Sequence, residues 1–106
     1  MAKYFFQARY TTEGTKGLLK DGGSKRRATI DTLVKKLGGK LEAFYYAFGE
    51  WDVLGVLDLP DHVSITALSL AVNASGAVNL RTTVLLTPEE VDQATKKTVG
   101  YRPPGA

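Results

Sequence analysis

Two long apolar runs, Leu41–Phe48 and Val53–Leu59, are separated only by Gly49-Glu50-Trp51-Asp52. Strand-length segments joined by so short a glycine-led link read as a β-hairpin. In the first strand Leu41, Ala43, Tyr45 and Ala47 share one face, and Glu42, Phe44, Tyr46 and Phe48 the other. The second strand starts near Trp51 and runs to Leu59, where Pro60 stops it. A hairpin this apolar cannot stand alone in water, so the rest of the chain must pair with it and cover it.

The flanks supply what it needs. Lys3–Tyr10 is rich in aromatic residues and reads as a strand, with Tyr4, Phe6, Ala8 and Tyr10 on one face and Phe5, Gln7 and Arg9 on the other. Thr11–Gly23 is looser: Thr12 could cap a short turn, but four glycines argue against a regular helix. Ser24 then caps a helix over Lys25–Leu37, in which Ile30, Leu33, Val34 and Leu37 fall on one stripe. Asp61 caps a second helix running to Asn73, with Ile65, Leu68, Ala71 and Val72 facing inward. Val78–Thr87 is a fourth strand, and Pro88 opens a last helix over Glu89–Thr98.

The order is therefore β-α-β-β-α-β with an extra C-terminal helix. That is an α+β, ferredoxin-like sandwich: a four-stranded antiparallel sheet with both main helices on one face. Residues 1–98 form the single expected domain, and 99–106, with two prolines, an extended or disordered tail. The sheet face without helices should be polar if it meets water. Either parity of the hairpin leaves large apolar groups there, so that face is expected to be covered. The simplest cover is a second copy, giving a homodimer or higher oligomer. The C-terminal helix could cover little, having only Val91, Ala94 and Val99 to bury.

Composition excludes several function classes. There are no cysteines, hence no disulfide, thiolate nucleophile or Cys-based metal site. The net charge of +3 is mild and its basic residues are spread, unlike a nucleic-acid footprint. No apolar run reaches the roughly 18 residues of a membrane span. No signal peptide is read at the start, and a cytoplasmic setting is expected.

Gly49-Glu50-Trp51-Asp52 resembles the glycine–acid/aromatic–aspartate signature of the GYD-domain family. Gly17-Leu18-Leu19, Gly38-Gly39-Lys40-Leu41, Leu68–Gly76 and Thr82–Glu90 are similar as well, so the resemblance spans about residues 3–94. Tryptophan stands where the family name implies tyrosine, a modest aromatic exchange. The resemblance implies a ferredoxin-like domain of the dimeric α/β-barrel type. It implies no particular chemistry, since related barrels include monooxygenases, isomerases, haem-handling enzymes and proteins with no reaction.

Candidate residues follow from chemistry. His62, the only histidine, lies at a helix start beside Asp61 and could act as an acid/base or a ligand; the plainer reading is a surface residue of the first turn. Asp52 next to Trp51 could bind a polar ligand or move a proton, or could simply hold the turn while the indole plugs the core; the second reading leads. Arg9 and Arg81 are expected to approach one another on adjacent strands, where they could clamp an anion or pair with Glu42 or Asp58 across a dimer. Gly22–Arg27 could cradle an anion but reads better as a solvated helix start.

A small oligomeric structural or ligand-binding module is the leading expectation. The alternative is a cofactor-independent monooxygenase or isomerase, with a pocket between sheet and helices lined by Arg9, Tyr45, Trp51, Asp52 and His62. A trimeric regulatory module of the PII or CutA kind shares the element order but needs a longer loop after the second strand. No metal or cofactor is called for.

Overall fold

The computed structural model describes residues Met1–Ala106. Its elements are β1 (Ala2–Tyr10), α1 (Thr12–Asp21), α2 (Gly23–Lys36), β2 (Lys40–Tyr46), β3 (Val53–Leu59), α3 (His62–Ala74), β4 (Val78–Leu85) and α4 (Pro88–Thr95). The strands form one antiparallel sheet in the order β2-β3-β1-β4. This is the expected α+β, ferredoxin-like arrangement.

The alternation in β1 sorts as the sequence predicts. Tyr4, Phe6 and Ala8 are buried against the helices with Val53, Leu57 and Leu59 of β3. From α2 and α3 the core receives Val34, Ile65 and Leu68. The predicted helix stripes are only partly covered: Ile30, Leu37 and Val72 are half-buried, while Leu33 and Ala71 are exposed. Just 13 of the 106 residues are buried, so the helices cover the sheet incompletely.

Three expectations are corrected. Thr12–Asp21 is a regular helix despite its glycines, and its cap is Thr11, whose hydroxyl accepts from the Gly14 N–H. Gly14 is what lets α1 lie down: a Cβ there would sit 2.0 Å from the Ala77 carbonyl oxygen. The second correction is the cap of α2, which is Gly22 with no side-chain bond, rather than Ser24. The third concerns β2. A register shift between Leu41 and Ala43 breaks the simple alternation. Leu41 joins the helix-side core with Phe44 and Tyr46, while Ala43 and Tyr45 turn to the opposite face.

The termini of the other elements have local causes. The Asp61 carboxylate accepts from the Ser64 N–H at 2.8 Å and starts α3. Thr87 and Glu90 form a reciprocal capping box at the start of α4. That helix buries no residue and does not lie over the sheet. The radius of gyration is 17.1 Å, against about 13 Å for a compact chain of this length. The excess reflects α4 and residues 96–106, which stand exposed beyond the sandwich. No helix is long and apolar enough to cross a membrane.

Candidate functional site

The link between β2 and β3 is longer and more tightly sewn than a minimal turn. Phe48 adopts the left-handed φ of 52°, which ends the strand before it. The Ala47 N–H donates to the Asp52 carbonyl, and the Asp52 N–H donates to the Ala8 carbonyl, both at 2.9 Å. The Asp52 carboxylate accepts from the Tyr10 N–H at 2.8 Å. Every one of these bonds is to backbone, so Asp52 acts here as a fastener between the turn and β1.

Trp51 does not plug the helix-side core. It lies on the open sheet face, with the Arg9 guanidinium carbon 4.4 Å and the Arg81 guanidinium carbon 5.3 Å from its ring centroid. Such contacts stabilise by about 0.5–1 kcal/mol each at exposed positions. Arg9 also donates to the Glu50 carbonyl at 2.7 Å and pairs with its carboxylate at 3.5 Å. Arg9 and Arg81 do meet, as expected, but around an indole, with Arg9 already tied to Glu50. Within the chain, Glu42 and Asp58 hold Lys3, Asp58 at 3.1 Å. The bonds to Glu42 and Asp58 raise the Lys3 ammonium above its ordinary value. Burial pushes the Asp58 carboxyl up, but its bonds with Lys3 and Glu42 outweigh that and leave it below the usual value. Tyr45 stands on the same open face, strongly exposed.

His62 meets neither Asp52 nor the arginines. Its Nδ1 is hydrogen-bonded to the Tyr4 hydroxyl at 2.7 Å, and the two rings meet edge to face. Burial, helped by the Asp61 carboxylate, pushes the Tyr4 phenol up, so it keeps its proton at neutral pH. The pair satisfies a phenol whose ring is otherwise fully buried. The groove beside His62 is lined mostly by exposed residues, among them Met1, Leu86 and Glu90.

A better-built hollow lies elsewhere. Helices α2 and α3 sit side by side over the sheet yet barely touch one another. Between them a narrow apolar space of about 40 Å³ reaches down to Phe6, Phe44 and Leu57. It continues outward into a cleft of about 310 Å³ that runs under α1 past Gly14, Gly17 and Leu33. Tyr10, Arg26, Ile30, Val72 and Val78 line both spaces. Together they reach the low end of the ~300–1,000 Å³ range of small-molecule sites. A hollow between sheet and helices was expected, but none of Arg9, Tyr45, Trp51, Asp52 or His62 lines it. The reason is parity and position: Arg9 and Tyr45 alternate to the other face, Trp51 turns that way too, and Asp52 and His62 sit at strand and helix ends.

The residues that do line it carry a legible signal. Arg26 is four residues before Ile30 and eight before Val34, so it belongs to the buried stripe of α2. Reading Lys25-Arg26-Arg27 as one solvated cluster hides that phase. Tyr46 borders the same region: its hydroxyl donates to the Gly23 carbonyl at 3.0 Å. Burial first, and Tyr10 next, push its phenol up to about 12. No group of three or more histidine, aspartate or glutamate side chains is placed to hold a metal ion.

Compared with curated proteins and with solved structures, the chain finds no match. The family model described as the GYD domain matches residues 4–95, from β1 through α4. With that match over most of its length, and with the glycine–acid–aromatic–aspartate turn at its centre, the chain belongs to the GYD-domain family.

Proposed function

We propose that this protein is a self-associating module that holds a small apolar ligand in the cleft between α2 and α3. The observation that carries the reading is the cleft itself. Two helices that should seal the sheet stand apart, and the gap is walled by Phe, Leu, Ile and Val side chains. An apolar hollow of this kind stays dry and favours an apolar occupant. No carboxylate or histidine lines the inner space, which supports binding over catalysis.

A separate observation favours self-association. Phe5, Leu54, Val56 and Tyr45 leave apolar surface on the open sheet face, interrupted by Gln7 and the Arg9–Trp51–Arg81 cluster. A second copy placed face to face would bury it, in a cytoplasmic oligomer. Binding is tested by titrating the protein into N-phenyl-1-naphthylamine, a neutral dye that brightens in apolar surroundings. Saturable enhancement by the wild type, and its loss in a folded Val72→Phe variant, is the expected result. No enhancement by the wild type removes the reading.

A further inference from the structure

We infer that the ligand of this cleft is an amphiphilic carboxylate: an apolar body seated against the sheet and one anionic group held by Arg26. The inference rests on the cleft being a ligand site, as proposed above. It adds the chemical class.

Arg26 is the one charged residue lining the inner space, and it also lines the outer cleft, so it stands where the two meet. Its side chain is half-buried and takes part in none of the chain's ion pairs or side-chain hydrogen bonds. Two acids also line the outer cleft, Glu13 and Asp21. Both already have cations: Glu13 is 3.7 Å from Lys16, and Asp21 is 3.6 Å from Lys25. The charge left without a partner at the neck is therefore positive. A guanidinium offers a fork of N–H donors that fits a carboxylate in two parallel bonds. The plain alternative is that Arg26 only lays its stem over apolar side chains and keeps its head in water.

Octanoate and octan-1-ol share an apolar chain and differ in the head group, so they separate these accounts. Each is used to displace N-phenyl-1-naphthylamine from the wild type, Arg26→Gln and Arg26→Lys. The expected result is octanoate binding about tenfold tighter than octan-1-ol to the wild type, the size of one charge-assisted hydrogen bond. Arg26→Gln should bring the ratio to about one by weakening octanoate alone, and Arg26→Lys should fall between. If both compounds displace the dye equally from the wild type, the carboxylate assignment is overturned while the cleft stands. Should neither bind, nor the dye itself, the cleft reading falls and this inference with it. The wild-type ratio decides the matter even if Arg26→Gln does not fold. Where Arg26→Gln folds, an unchanged octanoate preference overturns the role of Arg26.

Discussion

The Asp52 carboxylate accepts the Tyr10 backbone N–H at 2.8 Å, fastening the β2–β3 turn to the end of β1. The acceptor is half-buried and the donor has strand geometry, so the bond is part of the sheet's closure. Asp52→Ala leaves that N–H without its partner and should cost about 1–3 kcal/mol. Asp52→Asn keeps an oxygen in place and should cost less. Urea denaturation of the two variants checks the order, and dye binding should be unchanged in both.

Tyr4 and His62 make a second end-of-strand fastener. Tyr4→Phe keeps the buried ring and loses only the 2.7 Å bond to His62. Because His62 is exposed, its Nδ1 can turn to water, and the loss should be about 1 kcal/mol. Tyr4→Ala empties the core and should cost roughly 3–5 kcal/mol. Equal losses for the two variants in denaturant would show that the hydrogen bond, not the ring, dominates.

The Lys3–Glu42–Asp58 cluster sets a pH window for stability. The Asp58 carboxyl lies below its ordinary value of 3.8 in the folded chain. Its contribution is present above that value and is lost as pH falls through the lower folded one. The Lys3 ammonium is raised above 10.5, so its contribution is present below that pH and is lost as pH rises through the folded value. Lys3→Met should flatten both flanks of the stability–pH curve, and Asp58→Asn chiefly the acid flank. Thermal melts from pH 2 to 11 check this; unchanged flanks in Lys3→Met contradict it.

Self-association through the open face predicts that one charge at its centre disperses the assembly. Val56 lies on that face of the central strand β3, opposite Phe5 of β1. Val56→Glu should give a monomer by light scattering at concentrations where the wild type is a dimer or larger. A wild type that is monomeric at micromolar concentration contradicts the proposed assembly.

The fold was legible where one periodicity ran unbroken. Alternation alone sorted Tyr4, Phe6 and Ala8 from Phe5, Gln7 and Arg9, the Asp61 cap marked α3, and Pro88 marked the start of α4. It failed at Leu41, because one extra residue in β2 reverses the faces and no residue type announces it. The helix over Thr12–Asp21 was hidden by its glycines, of which Gly14 serves close approach to Ala77. Trp51 was misplaced for a related reason: which way a turn residue leans depends on partners such as Arg9 and Arg81, which come from other strands. A hollow between sheet and helices was expected, but its lining was not legible, since it depends on how far apart α2 and α3 settle. The phase of Arg26 on its helix is the signal that could have found it.

The central claim is where an apolar ligand sits, and backbone amide shifts in a ¹H–¹⁵N spectrum titrated with N-phenyl-1-naphthylamine measure that directly. Binding in the cleft should move the signals of Ile30, Val72 and Val78 and leave those of Tyr45, Leu54 and Val56 in place. Shifts confined to Tyr45, Leu54 and Val56, or no shifts at all, would contradict it.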